Sequence, residues 1–314
     1  MLAAVTLSLL AFVAACTPER DESSLYAPQD IGVLVIDAVL VVDETEPLIR
    51  LSRTLAPDVP FTQEAAGETG ADIYIQNMST GEIYYYYDLM DEPGIYYATN
   101  VSPITPETIY ELWVRTTDGE ILSAVTTTPA RIEVDQWVLL DPTGTTELRE
   151  LKTFAEYNDD VYFQPENQIT YAEGLIEARF AAGGAENYAG IGYQLALFSL
   201  DPDADYVIDP PFFEEDDFED LPKEGSSPIV EALDGTARLP WFGIYFEGRH
   251  DYEIFALDQN WYDLVRTTPQ DGGLGFGGNA GDGVDDPVFR VDGGIGLFGS
   301  ASSDKVGFYI LPAE

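Results

Sequence analysis

Short segments in which apolar and polar residues alternate follow one another through the first third of the chain. A period of two is typical of β-strands with one buried face, and glycine, proline or asparagine between the segments marks turns. Residues 77–81 and Thr117-Asp118-Gly119 are two such hairpin signals. The segments are 31–42, 47–55, 71–76, 82–87, 95–98, 109–115 and 120–126. Because no helical period interrupts them, residues 30–128 are predicted to form an N-terminal β-sandwich.

The same kind of pattern continues after Pro129, which is unsuited to a central strand and therefore marks a predicted domain boundary. Strand patterns recur at 132–140, 168–171, 175–181, 188–200, 241–247, 252–258 and 306–311. Helical patterns are present only at 146–157 and 258–267. The predicted fold class is all-β, with two tandem β-sandwich domains. The second domain, residues 129–314, is the larger one and has at most short helices.

The first fifteen residues form an apolar run without a charged side chain. The run ends in Ala14-Ala15, and Cys16 follows directly. It has the length of a signal-peptide core and is too short to span a bilayer. Small residues before a cysteine suit cleavage by a signal peptidase, and the thiol of Cys16 would accept a diacylglyceryl group. Residues 1–15 are thus predicted to be a lipoprotein signal peptide, Cys16 the lipidation site and 16–29 a lipidated tether. The alternative is a buried helix end with a buried cysteine.

The charge balance excludes one class of partner. The chain has 57 acidic and 14 basic residues, for a formal net charge of -43. Such a surface repels a phosphate backbone and anionic headgroups, so nucleic acid is not expected as a partner. The acidity has two interpretations, a solvated surface suited to high salt and a cation-binding surface. The even spread of carboxylates along the chain favours the first.

Residues 201–224 form a predicted acidic insertion in the second domain. They hold eleven carboxylates together with Phe212, Phe213 and Phe218. Like charges at this density favour an extended loop. The first interpretation is a solvated insertion, and the second is a binding element whose phenylalanines dock on the domain or on a partner.

Four consecutive tyrosines occupy positions 84–87 in a predicted strand. Neighbouring side chains of a strand point to opposite faces, so at most two of these tyrosines share a face. Packing in the core or across strands is the first interpretation, and a stacking platform for sugar rings is the second. The candidate ligand or partner contacts are Tyr84, Tyr86 and Trp113, together with Phe212, Phe213 and Phe218.

The sequence offers little for catalysis. His250 is the only histidine, and any nucleophilic triad would depend on it. The sequence shows no Gly-x-Ser-x-Gly nucleophile elbow and no cluster of histidine and carboxylates at metal-ligand spacing, so a surface-loop position is predicted for His250. Gly294–Gly299 matches a dinucleotide-binding glycine pattern but lacks the strand–turn–helix context. We therefore expect no enzyme, and a glycan hydrolase with two facing carboxylates is the remaining catalytic alternative.

A glycine-rich stretch at 271–286 contains Asp271, Asp282 and Asp285. Glycine lets several carboxylates converge on one hard cation, which makes these three residues candidate Ca²⁺ ligands. The stretch lacks EF-hand spacing, so a plain flexible loop is the first interpretation. No other cofactor is expected.

Several motifs together carry a family resemblance over nearly the whole mature chain. They are the signal-peptide cysteine Cys16, Gly70-Ala-Asp-Ile-Tyr-Ile75, Pro93-Gly-Ile-Tyr-Tyr97, Tyr110-Glu-Leu-Trp-Val-Arg-Thr-Thr-Asp-Gly119, Thr127-Thr-Pro129, Tyr252-Glu-Ile-Phe-Ala-Leu-Asp258 and Gly293-Gly-Ile-Gly-Leu-Phe-Gly299. With them the chain resembles a Bacteroidota lipoprotein family, the domain of unknown function 4249 family. The acidic insertion and the glycine-rich loop at 271–283 depart from it.

The resemblance implies a lipid-anchored outer-membrane protein of the cell envelope, on its periplasmic or cell-surface face. It implies a first domain that is immunoglobulin-like or carboxypeptidase-regulatory-like, and genes that lie beside those of TonB-dependent receptors. No catalytic residues carry over. The segment Gly294–Gly299 is then expected to be a close-packed β turn whose Leu297 and Phe298 lock the end of the second domain.

The expected function is that of an outer-membrane accessory lipoprotein which associates with a TonB-dependent transporter in nutrient binding or uptake. The alternative is a structural or adhesive envelope module without a small-molecule ligand. An exposed aromatic cluster lining a concavity would favour the first, and a flat acidic surface the second.

Overall fold

The structure is a computed structural model that describes residues 31–180, 191–201, 203–207, 223–230, 235–239, 243–267 and 287–312. It confirms the all-β class. The first part of the chain forms seven strands and one short helix. They are β1 (Leu34–Val41), β2 (Ile49–Arg53), α1 (Gln63–Ala66), β3 (Asp72–Asn77), β4 (Ile83–Asp88), β5 (Ile95–Ala98), β6 (Ile109–Arg115) and β7 (Ile121–Thr127).

The second part adds ten strands and two helices among the described residues. They are β8 (Gln136–Leu140), β9 (Glu147–Glu150), α2 (Phe154–Tyr157) with a 3-10 turn (Asn158–Phe163), β10 (Gln168–Thr170), β11 (Leu175–Arg179), β12 (Gly192–Ser199), β13 (Glu224–Ser226), β14 (Thr236–Leu239), β15 (Gly248–Leu257), α3 (Gln259–Thr267), β16 (Val291–Asp292) and β17 (Ile295–Leu311). The helix expected at 258–267 is confirmed. The one expected at 146–157 is mostly wrong, because Glu147–Glu150 pairs with β8 as a strand.

The first core is lined by one face of a continuous series of strands. Strands β1-β2-β5-β4-β3-β6-β7-β16 are hydrogen-bonded in that order. Alternate residues point inward, as the period of two predicts. The core contains Leu34, Ile36, Leu40, Ile49, Leu51, Ile73, Ile75, Tyr84, Tyr86, Tyr96, Tyr110, Leu112, Val114 and Leu122.

The second core lies between two sheets. A four-stranded sheet in the order β14-β11-β8-β9 covers one face of β12, β15 and the second half of β17. Trp137 on β8 meets Tyr252 on β15 edge to face, with ring centroids 5.5 Å apart. Both side chains are almost completely buried. The two cores explain why strand patterns recur on both sides of Pro129.

Strand β17 belongs to both cores. Its first half, Ile295 to Ala301, pairs in parallel with β1, and its second half pairs antiparallel with β15. Phe298 is 1% exposed and packs in the first core. The expectation that Phe298 locks the end of the second domain is therefore wrong, because parallel pairing with β1 turns this side chain into the first.

Buried polar groups connect β17 and α3 to the first domain. The Thr126 hydroxyl donates to the Asp258 carboxylate and lies 2.7 Å from the Ser300 hydroxyl. The side-chain amide of Asn260 donates to the carbonyls of Val125 and Phe298, both at 2.7 Å. Burial raises the pKa of Asp258, and its hydrogen bonds act in the opposite direction.

The glycines before and within β17 permit this parallel pairing. A Cβ on Gly296 would lie 2.0 Å from the carbonyl oxygen of Ile36, and its φ is 109°. A Cβ on Gly293 would lie 2.1 Å from the carbonyl oxygen of Ile121, and its φ is 80°. Backbone of β17 therefore approaches β1 and β7 more closely than any side chain allows.

His250 lies in the second core rather than in a surface loop. It is 1% exposed, its ring stacks on Phe308 at 5.3 Å, and its Nδ1 lies 3.0 Å from the Gly248 carbonyl oxygen. Its Nε2 is buried without a hydrogen-bond partner among the described residues. Burial lowers the pKa of His250 to about 4, against smaller opposing effects of the hydrogen bond to the Gly248 carbonyl and of the Asp201 and Asp251 charges. The surface-loop prediction was wrong because the strand begins at Gly248, two residues earlier.

We predict that Gly296→Ala lowers the free energy of unfolding by about 3 kcal/mol, because the methyl group meets backbone and the φ is unfavourable. Urea unfolding measures this loss. Gly225→Ala is the matched control, since a Cβ there meets nothing within 4 Å. A loss at Gly296 no larger than at Gly225 would contradict the close strand approach.

We predict that His250 makes the protein sensitive to acid. Between pH 6.5, the ordinary pKa of histidine, and about pH 4, the unfolded chain binds a proton that the folded chain excludes. Relative to His250→Phe, the wild type should lose about 1.4 kcal/mol of stability per pH unit as the pH falls through this window, and nothing above it. Unfolding curves at several pH values measure the difference. Parallel pH profiles would contradict a buried neutral imidazole.

Candidate functional site: an aromatic strip on the first domain

The hairpin between β3 and β4 decides which tyrosines reach the surface. Its turn is closed by hydrogen bonds from Asn77 N to Glu82 O and from Gly81 N to Asn77 O. This register pairs Ile75 with Tyr84 and Ile73 with Tyr86. Because both isoleucines point into the first core, Tyr84 and Tyr86 do so as well, at 2% and 3% exposure.

Core packing, the first interpretation of the tyrosine run, is therefore confirmed for Tyr84 and Tyr86, and their choice as contact residues is wrong. Burial raises the pKa of both hydroxyls, and Tyr86 Oη has no hydrogen-bond partner among the described residues. The exposed pair is Tyr85 and Tyr87, at 54% and 52%. The signal in the sequence was the hairpin register, which places the second and fourth tyrosines on the face opposite to the isoleucines of β3.

Five aromatic side chains line the outer face of four neighbouring strands, β5, β4, β3 and β6. We call them the aromatic strip: Tyr97, Tyr87, Tyr85, Tyr74 and Trp113. Tyr74 stacks on Trp113 with centroids 5.4 Å apart and planes at 22°. Tyr74 also meets Tyr85 edge to face at 6.3 Å. Cross-strand pairing alone brings these rings together, and Trp113 is the one member that was also among the contact candidates predicted from sequence.

A depression of about 500 Å³ lies along the aromatic strip. It is lined by Gly70, Ala71, Asp72, Ile73, Tyr74, Tyr85, Tyr86, Tyr87, Asp88 and Trp113. The Asp88 carboxylate accepts a hydrogen bond from the Gly70 backbone N–H at 3.1 Å, which holds it at the rim. Aromatic faces beside acceptor oxygens suit stacking on a ring or an apolar side chain together with hydrogen bonds from it.

The geometry of the strip suits binding. Tyr85 and Tyr87 add large apolar area to the surface, while their hydroxyls remain available to donate hydrogen bonds. His250 lies in the other core and does not reach the strip. Within the described residues, no group of three or more His, Cys, Asp or Glu side chains is arranged to hold a metal ion.

The remaining predicted site residues are not placed. Cys16, the three phenylalanines of the acidic insertion (Phe212, Phe213, Phe218) and the three candidate Ca²⁺ ligands (Asp271, Asp282, Asp285) lie outside the described residues. Among the helices of the described ranges, none is long and apolar enough to cross a membrane.

Comparisons with solved structures find distant similarity. A crystal structure of chicken CNTN1 FN1-FN3 domains matches at 9% identity with a TM-score of 0.19, covering 90% of this chain and 65% of that one. A cryo-EM structure of E. coli alpha-2-macroglobulin matches at 7% identity with a TM-score of 0.19, covering 91% of this chain and 25% of that one. The chain thus spans less than two thirds of the length of either structure.

No curated protein matches the chain. The family model described as "Domain of unknown function (DUF4249)" matches residues 21–209, which is more than half of the chain. The chain therefore belongs to the domain of unknown function 4249 family.

Proposed function

We propose that this protein is an accessory lipoprotein, held at the outer membrane through acyl chains on Cys16, that associates with a TonB-dependent transporter in nutrient binding or uptake. The observation that carries the proposal is the aromatic strip. Exposed tyrosines beside a half-buried tryptophan on the surface of a sheet are typical of protein contact surfaces, where they supply large apolar area at low entropic cost.

The strip is preorganised for contact. Tyr74 lies between Trp113 and Tyr85, so its ring is held from both sides. Each of the strands that carry the strip is hydrogen-bonded to a neighbour on at least one side. A partner that stacks on these rings therefore loses little of its binding energy to ordering them.

The position of the strip on the first domain supports a membrane-embedded partner. The described chain starts at Ile31. The backbone N–H of the next residue, Gly32, donates to the Thr54 carbonyl oxygen at 2.8 Å. This places the start beside the last residues of β2. Three loops lie at the same end of the domain: 54–70, 89–94 and 116–120. We call these loops, together with residues 31–32, the tether end.

The second domain leaves from the opposite end of the first. There Thr128 N donates to the Thr108 carbonyl oxygen at 3.0 Å, and Arg131 forms an ion pair with Asp43 at 2.5 Å. An anchor at the tether end would thus hold the first domain nearest to the membrane. Tyr87 lies one residue before the tether-end terminus of β4, so the aromatic strip would face sideways close to the bilayer.

We predict that the tagged protein, extracted in mild detergent from native outer membranes, co-purifies with a TonB-dependent receptor at near-equal stoichiometry. Replacing both exposed tyrosines, Tyr85→Ser with Tyr87→Ser, should reduce the recovered receptor by roughly tenfold, since truncated aromatic contacts each cost about 1 kcal/mol or more. Tyr157→Ser, on an exposed tyrosine of the second domain, is the matched control and should leave recovery unchanged.

The pull-down distinguishes a wrong function from a wrong contact surface. Recovery of the lipoprotein alone would favour the structural or adhesive alternative. Receptor recovery that survives the double substitution would keep the function and move the contact surface away from the aromatic strip.

A further inference from the structure

Apolar side chains protrude from the loops of the tether end. Phe61 is 75% exposed and Met90 is 84% exposed. Ile31, Val59 and Ile121 are exposed at the same end. Single exposed apolar residues are ordinary on protein surfaces, but here they come from two loops, the start of the described chain and the start of β7, all at one end of one domain.

The loops that carry Phe61 and Met90 are in direct contact. A Cβ on Gly94 would lie 2.7 Å from the Cα of Gly67, and one on Gly67 would lie 2.4 Å from the Pro93 carbonyl oxygen. Gly67 follows α1, and Gly94 ends the turn that contains Met90. The backbone thus holds these two apolar side chains on neighbouring loops.

The Phe61 side chain does not pack inside the first domain. It precedes Thr62, the N-cap of α1, whose hydroxyl oxygen accepts a hydrogen bond from Ala65 N at 3.2 Å. An apolar residue in this position commonly packs against the first turns of its helix as a hydrophobic staple. Its 75% exposure shows that Phe61 points away from the helix instead.

We propose that the tether end is a membrane-docking surface, on which Phe61 and Met90 enter the interfacial layer of a zwitterionic phospholipid bilayer. This inference rests on the proposed lipid anchor. The chain between Cys16 and Ile31 reaches at most about 50 Å, and it joins the described structure at this end. The second domain leaves from the opposite end, so among the described residues the tether end is the part held nearest to the acyl chains.

The charges at the tether end select the type of lipid surface. Asp58, Asp91 and Asp118 lie on the three loops, and Arg53 is already paired with Glu68 and Glu120. Anionic headgroups would be repelled by these carboxylates, whereas a zwitterionic surface admits the apolar side chains between them.

The experiment takes advantage of the fact that the chain has a single cysteine, Cys16. Acylation consumes the Cys16 thiol, so Phe61→Cys supplies the only free thiol for a polarity-sensitive fluorophore. The acylated protein is reconstituted in phosphatidylcholine vesicles that contain a lipid with a quenching group on its acyl chain. Phe163→Cys, on a second-domain side chain that is 57% exposed, is the matched control.

We expect the quenching lipid to roughly halve the emission of the label at position 61 and to leave the label at position 163 unchanged. Equal quenching at both positions, or none at position 61, would overturn the docking surface. Mass spectrometry of the N-terminal peptide distinguishes the two levels of failure. An acylated Cys16 with an unquenched label at 61 overturns docking alone, and an unacylated Cys16 overturns the lipid anchor and the docking that rests on it.

Discussion

The parallel pairing of β17 with β1 is the constraint on which the rest of the structure depends. Val35 and Ile295 are partners, although nearly the whole described chain separates them. The first core therefore contains a strand that follows almost all of the second domain in the sequence, and Phe298 completes its packing. Contacts of such sequence separation carry a large loop-closure cost and slow folding. The family match ends at residue 209, yet the first domain it covers includes residues 295–301 in its sheet.

The polar cluster beside β17 fixes how the two domains meet. Asp258, Thr126 and Ser300 are buried and hydrogen-bonded to one another, and Asn260 satisfies two carbonyl groups from different strands. Burying a carboxylate costs free energy, which the raised pKa of Asp258 reflects. An apolar contact of the same size would tolerate sliding, whereas these directional bonds are satisfied in one arrangement. The cluster thus contributes more to the specificity of the domain arrangement than to its stability.

The sequence predicted the local part of this fold and missed the long-range part. Alternation located most of the strands, turn residues located the hairpins, and the helical pattern at 258–267 located helix α3. The short strands β9, β13, β14 and β16 were missed, and the strand expected at 241–247 is not a strand in its described part, residues 243–247. The face chosen for Tyr84 and Tyr86 was wrong because strand parity depends on the register with β3, which alternation within four identical residues cannot show. The side of Phe298 was wrong for a similar reason, since its partner strand β1 lies at the other end of the chain. Of the candidate site, only Trp113 was identified, while Tyr74, Tyr85, Tyr87 and Tyr97 became visible once four strands were placed side by side.

The same long-range pairing places the two domains at opposite ends of the molecule. Because β17 runs from the tether end of the first domain into the second, the two domains extend from one end to the other rather than folding back on each other. The aromatic strip and the exposed Phe61 and Met90 both belong to the first domain, whereas the acidic insertion at 201–224 belongs by sequence to the second. A chain with a net charge of -43 is repelled by an anionic surface at every distance that salt does not screen. Under the docking proposed above, apolar contact would be made by the first domain, whereas much of the charge of the chain belongs by sequence to the second.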